Sequence, residues 1–201
     1  QRDPGRLPAE TVAFVGVKPG DKVAELIPGG GYFTRVLAKV VGPKGHVYAI
    51  STSARSAVAS QAIAADPAYA NVSVVVGPLA ELKLPEPVDV VWTSENYHDL
   101  HNAPGADMGP INKAVFAALK PGGVYFVLDH VAAPDATPED MRTLHRIDPA
   151  IVKREALAAG FVLAGESDLL RNTSDTHAEV SHGPAMHDKT DRFALKFRKP
   201  K

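Results

Sequence analysis

The feature that most restricts the fold of this chain is an alternation along its length. Short, largely apolar runs stand at residues 22–27, 46–50, 71–76, 88–93 and 124–128. Helical spacing of apolar residues is read over 8–17, 32–41, 54–65, 110–119, 138–146 and 149–159, with stops such as Lys18-Pro19-Gly20, Gly42-Pro43 and Gly160. The run at 88–93, VDVVWT, is almost wholly apolar, as a strand covered on both faces must be. Strands alternating with helices build a parallel sheet layered by helices on both faces. Two last runs, 161–167 and 192–198, have only a polar loop with three histidines between them, so they should pair as a hairpin. The expectation is a seven-strand α/β sheet, mostly parallel, with one antiparallel strand in a C-terminal hairpin. It forms one domain over residues 1–201, with residues 1–8 as a polar N-terminal arm.

Composition narrows the partners of such a domain. The net charge is −1 and no cluster of five or more Lys/Arg occurs, which disfavours nucleic acid or an anionic membrane surface. No apolar run approaches the ~20 residues of a membrane span. Cysteine is absent, which removes disulfides, thiolate metal sites and cysteine nucleophiles. The chain opens on Gln1 rather than Met, followed by a polar stretch rich in Pro and Arg. A removed leader, and with it a periplasmic or exported location, is the expectation, with a cytoplasmic one as the alternative. Nothing in the sequence sets an oligomeric state.

Ligands of open parallel sheets sit outside the carboxyl ends of strands. The first strand here ends in AELIPGGGYF (residues 24–33), three glycines opening a helix. Glycine lets a backbone approach a ligand, and a helix start offers free N–H groups. With Lys18–Glu25 (KPGDKVAE) before it and Leu119–Val124 (LKPGGV) before the fifth strand, the stretch resembles class I S-adenosylmethionine (SAM)-dependent methyltransferases. The resemblance covers nearly the whole chain and is nearest to a group of bacterial methyltransferases, often with signal peptides, that share PGGGYFT, NYHDLH and LHRIDP. It implies a Rossmann-like fold and SAM as cofactor. By it, Glu25, Pro28 and the backbone of Gly29, Gly30 and Gly31 would hold the methionine end, with Asn96 beside the cofactor. Ile27 departs from the pattern where its first glycine usually stands. The second strand runs into Ser51 where a ribose-binding carboxylate is common; Ser51 is the candidate cofactor contact there, since its hydroxyl can accept a hydrogen bond, although it cannot make the bidentate, charge-assisted pair. After the third strand the chain reads Gly77-Pro78-Leu79, with Glu81 beyond, instead of an acidic residue for the adenine amine.

The fourth strand empties into Glu95-Asn96-Tyr97-His98-Asp99-Leu100-His101-Asn102, a run of polar groups at an expected site mouth. An imidazole near neutral pKa can deprotonate an acceptor hydroxyl, amine or thiol. His98 is the first choice as base, oriented by Asp99 or Asp129, with Tyr97 lining the transfer channel. His101, His130, His145 and Asp148 are candidate substrate contacts. Alternatively, His98, His101, His130 and His145 with a carboxylate could bind zinc or another divalent metal. His46, His177, His182 and His187 read as surface residues. The function expected is methyl transfer from SAM to a small molecule. The alternative is a non-enzymatic protein on the same fold that binds a small molecule or a metal.

Overall fold

A computed structural model describes residues 3–201; Gln1 and Arg2 of the expected arm lie outside the described residues. The rest of that arm is folded. Asp3–Arg6 forms one helical turn (α1), and Pro8–Val15 forms α2, which ends where Gly16 takes φ +87°. Arg6, read as part of a solvated arm, is buried.

Seven strands follow: β1 (Lys22–Leu26), β2 (His46–Ser51), β3 (Val72–Val76), β4 (Val88–Ser94), β5 (Leu119–His130), β6 (Val162–Ser167) and β7 (Arg192–Arg198). The helices between them are α3 (Tyr32–Val41), α4 (Val58–Ala64), α5 (Tyr97–Asn102), α6 (Met108–Ala118), α7 (Pro138–Leu144) and α8 (Pro149–Ala158). Local signals account for most boundaries. Asp107 and Asp148 accept N-terminal amides of α6 and α8, and Thr137 with Asp140 makes a capping box on α7. Helix α4 starts four residues later than its alanine-rich sequence suggests.

The sheet runs β3-β2-β1-β4-β5-β7-β6, with β7 antiparallel to both of its neighbours. Alternate side chains enter opposite layers. Ala24, Leu26, Val91, Tyr125 and Val127 face one core, and Val23, Val90, Trp92, Phe126 and Leu128 the other. Strand β5 is longer than residues 124–128 at both ends. Pairing with β7 carries it through Asp129↔Phe193 and His130↔Arg192. That extension places both polar residues inside the protein.

Chain direction makes β1 and β4 the point where strand order reverses, so the two connections leave in opposite directions and open a crevice. Glu95, at φ +58°, turns the chain from β4 into α5. Ile147 pairs with Val131 just past β5, which brings the end of α7 to the same edge of the sheet.

Candidate active site

A cavity of about 700 Å³ opens at this strand-order reversal, within the range of ordinary ligand pockets. One wall is the loop after β1. Glu25 lies at its floor, 2% exposed, and accepts a hydrogen bond from Thr34 Oγ1 at 2.5 Å. Burial raises its pKa from 4.5 to about 7; the Thr34 hydroxyl and the Arg6 charge offset this only in part. Gly29 takes φ +55°, and a Cβ built on Gly29 or Gly30 would meet no atom within 4 Å, so both face open space. Gly31 differs. At φ +74°, its added Cβ would lie 2.2 Å from Ile63 Cδ1, so this glycine serves packing against α4 rather than the cavity. Ile27 holds φ +50°, a left-handed conformation that costs a β-branched residue energy.

The opposite wall is polar. Asn96 donates to the carbonyls of Leu26 (3.1 Å), Ile27 (3.2 Å) and Ser94 (3.1 Å), and its oxygen accepts from the Thr93 hydroxyl. It therefore stitches the ends of β1 and β4 together and holds the strained Ile27 in place; its amide is not free for a cofactor or substrate. Glu95 receives Arg192 Nη1 at 2.7 Å on one oxygen and Arg6 on the other. Arg6 also reaches Asp188 (3.1 Å) and lies 5.1 Å over the Tyr32 ring. The helical turn α1 is thus clamped over the cavity by charges.

Asp99 lines the same cavity, half-exposed, with His145 Nδ1 at 2.7 Å and His98 Nε2 at 3.3 Å from its Oδ1. Behind it, His98 Nδ1 lies 2.6 Å from Asp129 Oδ1. Burial works against a charged His98, but Asp129 and then Asp99 outweigh it and raise its pKa to about 10. The Asp99 carboxyl, despite partial burial, is lowered to about 2 by His98 and His145. The neighbouring His130, its ring 5.5 Å from His98, goes the other way: burial lowers it to about 4.

A family profile described as a methyltransferase domain matches residues 18–177. The chain belongs to this methyltransferase-domain family. A 61-residue stretch is 41% identical to protein-L-isoaspartate O-methyltransferase of Ignicoccus hospitalis, a match spanning 30% of this chain and 29% of that enzyme. Among solved structures, a SAM-dependent methyltransferase from Aquifex aeolicus superposes with a TM-score of 0.71 at 20% identity, covering 98% of this chain and 93% of that one. The glycopeptide N-methyltransferase MtfA, complexed with sinefungin, gives 0.69 at 16%, covering 98% and 87%. These structures share the fold expected from the strand order.

The residues of this methyltransferase-domain chain fit the cofactor of such enzymes at one end. A buried carboxylate that forms no ion pair among the described residues lies beneath two glycines facing open space, which suits the cationic methionine end. At the end of β2, the Ser51 hydroxyl is buried and makes no hydrogen bond among the described residues. It does not reach the cavity wall.

Several expected roles do not survive the geometry. His98 sits between the Asp129 and Asp99 carboxylates, which raise its pKa well above the near-neutral value expected of a base. Tyr97 is fully buried; its hydroxyl donates to Glu155 and accepts from Asn112, away from any channel. His101 turns to Glu155 at 2.9 Å, and His130 to Thr190 at 2.7 Å. Asp148 is spent capping α8. The four-histidine metal set therefore does not converge; among the described residues, His98 and His145 are the two of it whose ligand atoms gather with a carboxylate, Asp99. Arg6 was missed as a site residue. Its partners lie 89 and 182 positions away, and no local pattern announces them. Glu95 carried a usable signal, a carboxylate directly after an apolar strand.

Proposed function

We propose that this chain transfers a methyl group from SAM to a small-molecule acceptor held against Asp99. The observation that carries the reading is Glu25, a buried carboxylate with no ion pair among the described residues, at the floor of a glycine-walled cavity where the strand order reverses. When bound, SAM supplies an electrophilic methyl group on a sulfonium. Glu25 receives positive charge in a low-dielectric site, where such a contact is strong. Gly29 and Gly30 leave the backbone open to close approach. Arg6 and Tyr32 line the same cavity. Asp99, ionised and facing the cavity, accepts a hydrogen bond from an acceptor hydroxyl or amine and aims its lone pair. Methyl transfer depends chiefly on such in-line positioning. Support for a small acceptor is the cavity itself, which is sized for a cofactor and a modest second molecule.

Calorimetry and thermal shift with SAM and with sinefungin test this directly. Binding in the range of about 1–100 μM is expected. No heat and no melting shift at millimolar ligand would remove the reading. Binding without methyl transfer to any of a panel of hydroxyl and amine acceptors would favour the non-enzymatic alternative.

A further inference from the structure

We propose that His98, Asp99 and His145 form a site for one divalent transition-metal ion of the zinc or iron(II) class, on the acceptor side of the cavity. Their ligand atoms all lie within 4.8 Å of one another. The contacts are His98 Nε2–Asp99 Oδ1 at 3.3 Å and His145 Nδ1–Asp99 Oδ1 at 2.7 Å. Ligands bound at about 2.1 Å to a tetrahedral ion stand roughly 3.4 Å apart, so the two contacts to Asp99 bracket that spacing and the two imidazoles, within 4.8 Å, close on the ion by side-chain adjustment.

Three further observations separate this cluster from a chance meeting of polar groups. First, His98 is aimed. Its Nδ1 is engaged by Asp129, which in turn accepts the backbone N–H of His98 (2.9 Å) and His130 (2.7 Å). A buried carboxylate on one imidazole nitrogen fixes the ring and turns the other nitrogen toward Asp99, the support that metal-binding histidines usually have; an ion binding there displaces the Nε2 proton to solvent. Second, His145 is placed at φ +52°, a strained conformation at the end of α7, with the His182 ring edge-on 4.5 Å away. Third, two imidazoles and one carboxylate suit zinc or iron(II) rather than calcium or magnesium, and three ligands leave positions open. Asp99 lines the cavity, so an open position gives onto the acceptor space.

The use of the ion rests on the methyl-transfer reading. An acceptor hydroxyl oxygen held there would lose its proton to solvent. Its lone pair would then form the O–C bond as the C–S bond breaks, with the electron pair going to sulfur. Ion binding itself can be measured apart from SAM.

Untagged protein, stripped with chelator, is titrated with zinc by calorimetry and with cobalt(II) by visible absorption. One equivalent should bind with Kd below about 10 μM. His145→Ala and Asp99→Ala, both partly exposed positions, should each weaken binding about 100-fold, and Asp129→Asn about 10-fold. His101→Ala should bind as wild type, because that ring faces Glu155. Circular dichroism melts confirm that each variant is folded. Wild-type binding weaker than about 100 μM, or binding unchanged in both His145→Ala and Asp99→Ala, overturns the site. SAM titrations on the same samples keep the two readings apart, since either ligand can bind without the other.

Discussion

Glu25 and Asp129 are both carboxylates buried at the sheet, one in β1 and one in β5, and they hold protons in opposite ways. Asp129 is held ionised even though burial opposes it: His98 supplies a charge and a hydrogen bond, and two backbone amides add more. Glu25 meets one hydroxyl at 2.5 Å and feels Arg6 from a distance, so burial dominates and its pKa climbs to about 7. The first carboxylate has its partners built in. The second has no ion pair among the described residues, and that is why the proposed cationic cofactor is assigned to this wall. A site can thus be located by asking which buried charge the fold leaves unanswered.

The largest effect comes from breaking the satisfied member. Asp129→Asn keeps the shape but removes the charge facing a buried imidazolium. Removing one partner of a buried pair costs about 3 kcal/mol or more. For a chain of this size that lowers Tm by roughly 10 °C, checked by calorimetry at pH 7. An unchanged Tm would mean that His98 is not charged there.

The unsatisfied member should respond in the opposite direction. A carboxylate raised from 4.5 to about 7 favours the folded state fully below pH 4.5, and that advantage disappears as pH rises through 7. Above pH 7 the ionised Glu25 costs the fold about 3 kcal/mol. Allowing about 1 kcal/mol for the weaker hydrogen bond that an amide accepts from Thr34, Glu25→Gln should therefore stabilise the ligand-free protein by about 2 kcal/mol at pH 8, raising Tm by about 5 °C, and by almost nothing at pH 5. The same variant should bind SAM at least about 10-fold more weakly, because a charge-assisted contact is lost. Wild-type SAM binding at pH 6 should release protons, seen as heats that depend on the buffer. A Gln variant that is less stable at pH 8 would mean Glu25 is answered within the fold after all.

The same contrast explains what was legible in the sequence. The sheet and its hairpin could be read because apolar period and turn residues are local signals, and local signals decided β1 through β4. The Glu25 loop was legible for the same reason: acid, glycines and helix lie within ten residues. The histidine side was not. His98 and His101 look equivalent in NYHDLH, but a helical turn sends one to Asp129 and the other to Glu155. Which of them meets a carboxylate depends on β5 and α8, distant in the chain. Arg146, within LHRIDP, is buried in a two-bond pair with Asp175, a partner 29 positions away that no local pattern announces. Ile27 was visible as a missing glycine, but the strained backbone it still adopts was not.

The smallest effect on stability gives the finest test of the ligand-facing wall. Gly31→Ala places a side chain at φ +74° against Ile63 and should destabilise by about 1–2 kcal/mol, with SAM affinity falling only as the fold loosens. Gly30→Ala meets neither obstacle: its φ is not left-handed and the space beyond is open. Stability should therefore change by less than about 0.5 kcal/mol, as for an unobstructed surface substitution. If that open space is where the cofactor lies, the new methyl group intrudes on the ligand and SAM affinity drops by about 10-fold or more. The two alanines thus separate a glycine required by the fold from a glycine required by a ligand. Equal SAM affinity in Gly30→Ala and wild type, measured by calorimetry, would move the ligand away from the wall that Glu25 marks.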